Sequence, residues 1–305
     1  TALHLHAAER MGRLRIPGDA GAVCRAMTAG DRSGITPELR AAYSRSGLSH
    51  LLAVSGLHTG IVFALVNLLL WWLPLLRRGH LLRNLLAAAC IWIYVAAAGF
   101  PPSAVRAAVM FTMLQSALAS ASEYNGLNAL AAAAFGMLLW NPAWLGDISF
   151  QLSFAAVAAI LAWGVPLCRR LRTRRRALNP ITDALAVSLA ATLATAPLVS
   201  HTFGIVPLAG VVVNPAAILL GSVVVLAGAL WMLLPFGWAA PAFECVLSHT
   251  AEGLNALARV TADLPCAAAE YALGGGATAA VYLFFALATV AAWSAEPKKS
   301  VPLPA

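Results

Sequence analysis

His50-Leu51-Leu52-Ala53-Val54-Ser55-Gly56-Leu57-His58 leads through Thr59 and Gly60 into an apolar run that reaches Leu76, with Arg77, Arg78 and Arg83 just beyond. Such a run approaches the roughly 20 apolar residues that a helix needs to cross a bilayer. At its mouth, where a lipid-facing helix would carry leucine and valine, sit two imidazoles, a hydroxyl and two glycines. Polar groups are costly at membrane depth and are retained where they do something, so this stretch is the first functional candidate.

Composition extends the reading to the whole chain. Of 305 residues, 61% are hydrophobic and only 10% are charged, and the mean hydropathy is +0.80. A soluble domain is nearer half apolar and a quarter charged. Long apolar runs separated by short polar breaks imply helices rather than a barrel. The expected fold is an all-α, polytopic transmembrane helical bundle with amphipathic interfacial helices and at least one broken helix. Residues 1–48 are expected to be an amphipathic, extracytoplasmic-side segment of short surface helices, 49–295 the transmembrane domain and 296–305 a tail.

Spans are expected at about 60–76, 84–100, 103–120, 125–140, 147–168, 182–200, 207–234 and 277–294. The third opens on Pro101-Pro102, which suits a first turn whose N–H groups lack partners. The seventh is expected to break at Asn214-Pro215, because proline removes a backbone bond and clashes with the preceding turn. Thr36-Pro37-Glu38 is a helix start, with threonine capping and proline at the first helical position. Residues 242–262 are different: Glu244, Ser248, Glu252, Asn255 and Arg259 recur at helical spacing opposite apolar residues. That helix either lies in the interface or turns its stripe to an aqueous path.

The formal net charge is +8, and Arg169, Arg170, Arg172, Arg174, Arg175 and Arg176 concentrate much of it. By the positive-inside rule this block marks a cytoplasmic loop, with a polyanion-binding patch as the sharper alternative. The arginines after the first span then place its His50–His58 end outside. A cytoplasmic C-terminus, favoured weakly by Lys298 and Lys299, fits this parity only if 242–262 also spans.

Catalytic and metal chemistry find little support. Ser55-Gly56 lacks the nucleophile-elbow pattern, and no carboxylate in the motif could orient a Ser-His pair. His50 and His58 stand eight apart, unlike the HExxH spacing, and His4-Leu5-His6 has no acidic companion. The five cysteines, at 24, 90, 168, 245 and 266, form no CxxC pair, so no zinc ribbon or thioredoxin-like site is suggested. No Walker A pattern occurs and no repeated half is visible. The expectation is a non-enzyme without cofactor, metal site or catalytic residue. Within the spans, Arg106, Gln115, Gln151, Ser153 and Asn214 are the polar candidates, with His201 at a span end.

Several of these motifs occur together in order. Gly30-Asp31-Arg32-Ser33 and Gly47-Leu48-Ser49-His50 through His58 are followed by Pro102-Ser103-Ala104-Val105-Arg106-Ala107 and by Asp147-Ile148-Ser149-Phe150-Gln151-Leu152-Ser153-Phe154. Ala194-Thr195-Ala196-Pro197-Leu198, His201-Thr202-Phe203-Gly204 and Pro207-Leu208 to Asn214-Pro215 complete the series. This order, over about 20–295, resembles the ComEC-type competence family of bacterial inner-membrane DNA-uptake channels. The resemblance implies passage of single-stranded DNA across the cytoplasmic membrane in natural transformation. It implies membrane lipid as surroundings and other competence proteins (a DNA receptor, a cytoplasmic motor and a nuclease) as partners, and it leaves an oligomer open. Family members usually add an oligonucleotide-binding-fold domain before this region and a metallo-β-lactamase-like domain after it. Here the channel core alone is expected, as a fragment or truncated member. His50, Ser55, His58, Arg106, Gln115, Gln151, Ser153, His201 and Asn214 are its candidate DNA path or mouth. A membrane scaffold that docks a nuclease or motor, a small-solute transporter, and an intramembrane hydrolase using Ser55 are the alternatives.

Overall fold

A computed structural model describes residues 2–73, 79–119, 124–233 and 238–295. Helices follow in the order α1 (Ala2–Gly12), α2 (Gly18–Ala29), α3 (Pro37–Arg45), α4 (Gly56–Leu69), α5 (Gly79–Ala97), α6 (Pro102–Ala119) and α7 (Gly126–Trp140). After these come α8 (Ile148–Ala159), α9 (Val165–Leu171), α10 (Asn179–Phe203), α11 (Gly210–Leu233), α12 (Ala240–Ala262) and α13 (Gly275–Ala295). Five are long and apolar enough to cross a membrane: α5, the continuous rod Ile148–Leu171, α10 with its preceding turn, α11 and α13. The chain is a helical membrane protein. Arg106 and Gln115 leave α6 less apolar than those five, and α4 and α7, at 14 and 15 residues, are shorter.

Local chemistry sets many of the ends. The Thr36 hydroxyl accepts from the Leu39 N–H, with Pro37 in the first turn of α3. Asn125 caps α7, and the Asp147 carboxylate accepts from the Ser149 and Phe150 N–H groups to start α8. These side chains satisfy donors that a helix start leaves free.

The break expected at Asn214-Pro215 does not occur, and both interior prolines are accommodated. α11 runs unbroken through Pro215, and α10 continues past Pro197 to Phe203, where Gly204 closes it with φ near +70°. Surrounding helices re-satisfy the groups that such a proline frees. The helical interruption falls instead in the rod 148–171, where Ile160–Gly164 winds as a π-helix just before Pro166. The first span also shifts: α4 starts at Gly56 because Ser55 occupies the capping position, and residues 74–78, with Arg77 and Arg78, lie outside the described residues. The tail 296–305, with its two lysines, lies outside them too.

Two apolar cores organise the bundle. One joins α2, α3 and the turn at Ser49–Leu52 to α11 and α12, and the other joins α4 through α8. The short N-terminal helices therefore do not merely rest on a surface: Val23, Cys24, Ala26 and Met27 of α2 are fully buried. Small residues permit the insertion. Gly221 lies against Met27 and Gly228 against Thr28, the close approach that glycines allow between membrane helices.

A short antiparallel pair closes the second half of the chain, an addition to the all-α expectation. β1 (Ile205–Pro207) precedes α11 and β2 (Ala268–Glu270) follows α12, with Ile205 opposite Glu270. α11 and α12 therefore form a hairpin that returns to its starting end, and α12 packs along α11 rather than lying alone. Its stripe divides. Glu252 and Arg259 are exposed, whereas Asn255 turns inward and accepts from the Tyr43 hydroxyl at 2.8 Å. Arg259 pairs with Asp19, tying α12 to α2.

Candidate functional site

The His50–His58 motif is a helix break. Ser49–Leu52 forms a 3-10 turn, Ala53 is extended, and α4 begins behind Ser55. His58 is the third helical residue, and its Nδ1 accepts from the Ser55 N–H at 3.3 Å, the half of a capping box in which the third residue reaches back to the cap. An accepting Nδ1 leaves the proton on Nε2. Nε2 is buried, and among the described residues neither it nor the Ser55 hydroxyl oxygen has a hydrogen-bond partner. His50 is exposed, and its Nδ1–H donates to Gly47 O at 3.2 Å. Both imidazole bonds stay within residues 47–58.

Arg106 is the most unusual residue of the second core. It lies in the second turn of α6, only 6% exposed. Its Nε–H donates to the Ser153 hydroxyl of α8 at 2.9 Å, its Cζ lies 5.8 Å from the Phe154 ring centre, and its Nη1 is 3.7 Å from the Met110 sulfur. On the other side Nη2 lies so close to Gly56 that a Cβ there would be 2.6 Å away. Glycine at 56 makes room for the guanidinium. Among the described residues no carboxylate pairs with Arg106. A buried charge without a counter-charge is costly, and a hydroxyl, a sulfur and a ring face compensate only part of the lost hydration.

α4 and α6 continue a polar seam below this point. Gly60 faces Phe111, which stacks on Phe63 with centroids 4.5 Å apart. Gln115, 2% exposed, then donates to Asn67 Oδ1 at 3.1 Å, and the same oxygen accepts from Arg83 Nε of α5 at 3.3 Å. Helical rise puts Gln115 about 14 Å from Arg106 along α6. Both are buried and both meet α4, because the long Arg106 side chain reaches round the helix to Gly56. Asn67 joins α4, α5 and α6 and was absent from the sequence candidates. A single amide inside Val-Asn-Leu-Leu-Leu was its only signal.

The remaining candidates lie elsewhere. Gln151 donates to Leu145 O at 2.7 Å, bracing the start of α8. Asn214 donates to the Ser188 hydroxyl at 3.0 Å and joins α11 to α10. His201 is exposed, and its Nδ1–H donates to Leu273 O at 2.8 Å, holding the end of α10 to the segment before α13. Of the nine candidates, two pairs are in direct contact among the described residues, Ser55 with His58 and Arg106 with Ser153, and Gly56 brings the two pairs side by side.

The sequence model of a family described as Competence protein matches residues 27–296. ComE operon protein 3 of Bacillus subtilis (strain 168) is 31% identical over 188 residues, which are 62% of this chain and 23% of that relative. The chain thus spans under a quarter of the length of the curated relative that it matches. No solved structure matches it.

Proposed function

The chain belongs to the competence protein family, and from that premise we propose that it forms the path by which single-stranded DNA crosses the bacterial cytoplasmic membrane in natural transformation. The observation that carries this reading is Arg106: a guanidinium buried in a membrane bundle with no carboxylate partner among the described residues. A phosphodiester is the anion that such a fork binds well, through paired N–H donors. Asn67, Gln115 and Arg83 extend the polar line along α4 and α6, which a polyanion passing through hydrocarbon requires. His50, Ser55 and His58 stand at its mouth.

In this proposal the chain is a multi-pass conduit and not an enzyme. No Walker A pattern lies in the sequence, and in this reading the driving force comes from partners, gradients or chemistry elsewhere, with a cytoplasmic motor, a receptor delivering DNA and a separate nuclease supplying the single strand among the partners. The seam is closed around Arg106 and Gln115, so a strand passes only when α4 and α6 part.

The test is uptake of labelled DNA in a strain whose own copy is replaced by Arg106→Gln. Loss of a charged contact worth about 1.5–3 kcal/mol corresponds to a roughly 10- to 100-fold fall in internalised label, at an unchanged level of protein in the membrane. Undiminished uptake would instead favour a scaffold that docks a nuclease or motor and conducts nothing.

A further inference from the structure

The six-arginine stretch 169–176 lies at the far end of the α8–α9 rod from Ser153, about 24 Å or more away by helical rise. It is a folded bracket. The Thr173 N–H donates to Asn179 Oδ1 at 3.0 Å, the Asn179 amide donates back to Thr173 O at 3.4 Å, and the Arg175 N–H donates to the Thr173 hydroxyl at 3.1 Å. All six arginines are exposed. Among the described residues no ion pair ties Arg172, Arg174, Arg175 or Arg176 to a carboxylate. The bracket also has an apolar border: Leu171, Leu178 and Ile181 are 45%, 43% and 58% exposed.

We propose that this bracket is a binding site for anionic lipid headgroups, with the arginines holding headgroup phosphates and the three aliphatic side chains set in the acyl boundary. Charge alone would suit any polyanion. The border decides between them, because exposed leucine and isoleucine among arginines gain nothing beside a hydrated nucleic acid strand but lose water beside acyl chains. Arginine suits the task through its planar fork, which takes a phosphate in two parallel bonds. The ordered turn presents that fork without the full entropy cost of arranging a loose chain.

Native mass spectrometry of the full chain, purified in detergent and supplied with equal phosphatidylcholine and phosphatidylglycerol, tests this. Retained phosphatidylglycerol should exceed phosphatidylcholine by about fivefold or more, the effect of one basic residue at an anionic surface. A variant with Arg172, Arg174, Arg175 and Arg176 all changed to lysine keeps the topogenic charge and should retain less, while Leu178→Ser with Ile181→Ser should weaken retention with every arginine in place. Equal retention of both lipids by the natural chain would overturn the proposal. So would an unchanged lipid preference in both variants combined with loss of single-stranded oligonucleotide binding in the lysine variant, which would make the bracket a nucleic-acid surface.

Discussion

Arg106 carries a burial cost that a purely structural residue would not keep, and this separates function from stability. Replacing a buried charge by an apolar side chain of similar volume is often stabilising by about 1–4 kcal/mol. Arg106→Met should therefore raise the unfolding temperature of the purified chain while abolishing DNA uptake; a lower unfolding temperature would mean that Arg106 holds the bundle together. Gly56 gives a finer test. A methyl there would push Nη2, the free end of a flexible side chain, whereas a methyl at Gly60 meets Phe111 at 3.4 Å, near ordinary contact. Gly56→Ala should fold normally and lose uptake, and Gly60→Ala should stay close to natural in both. Equal uptake in the two would dissociate Gly56 from the site. Arg106 and Ser153 were legible in the sequence because a charge and a hydroxyl near span ends stand out against leucine. Their contact was not, since 47 residues separate them and only the packing of α6 on α8 brings them together.

Among the elements, helix starts were the easiest to read. Thr36, Asn125 and Asp147 act through N–H groups two or three residues away, so sequence alone contains both partners. Pro215 misled because the cost of an interior proline depends on neighbouring helices, which the sequence does not display. β1 and β2, three residues each, exist only by pairing with one another.

At the scale of the molecule, the two cores divide the chain: α2, α3, α11 and α12 share one, and α4 through α8 build the seam around the other. Composition sufficed to foresee a helical membrane bundle, but not that α2 would be inserted in its core. That placement has a chemical signature. Burial pushes the Cys24 thiol up to about 12, and its S–H donates to Leu247 O at 3.7 Å. Because the thiolate is the reactive form, maleimide at pH 7.5 should label exposed Cys245 and Cys266 and reach Cys24 only after unfolding. Comparable labelling of Cys24 in the folded chain would remove α2 from the core. The claim that DNA passes through the seam is tested most directly by placing a photo-crosslinking residue at Met110, beside Arg106, or at Leu139, which is 74% exposed on an apolar face, and irradiating cells during uptake of labelled DNA. The account predicts single-stranded adducts at position 110 and none at 139. Uptake that proceeds with no adduct at 110 would contradict it.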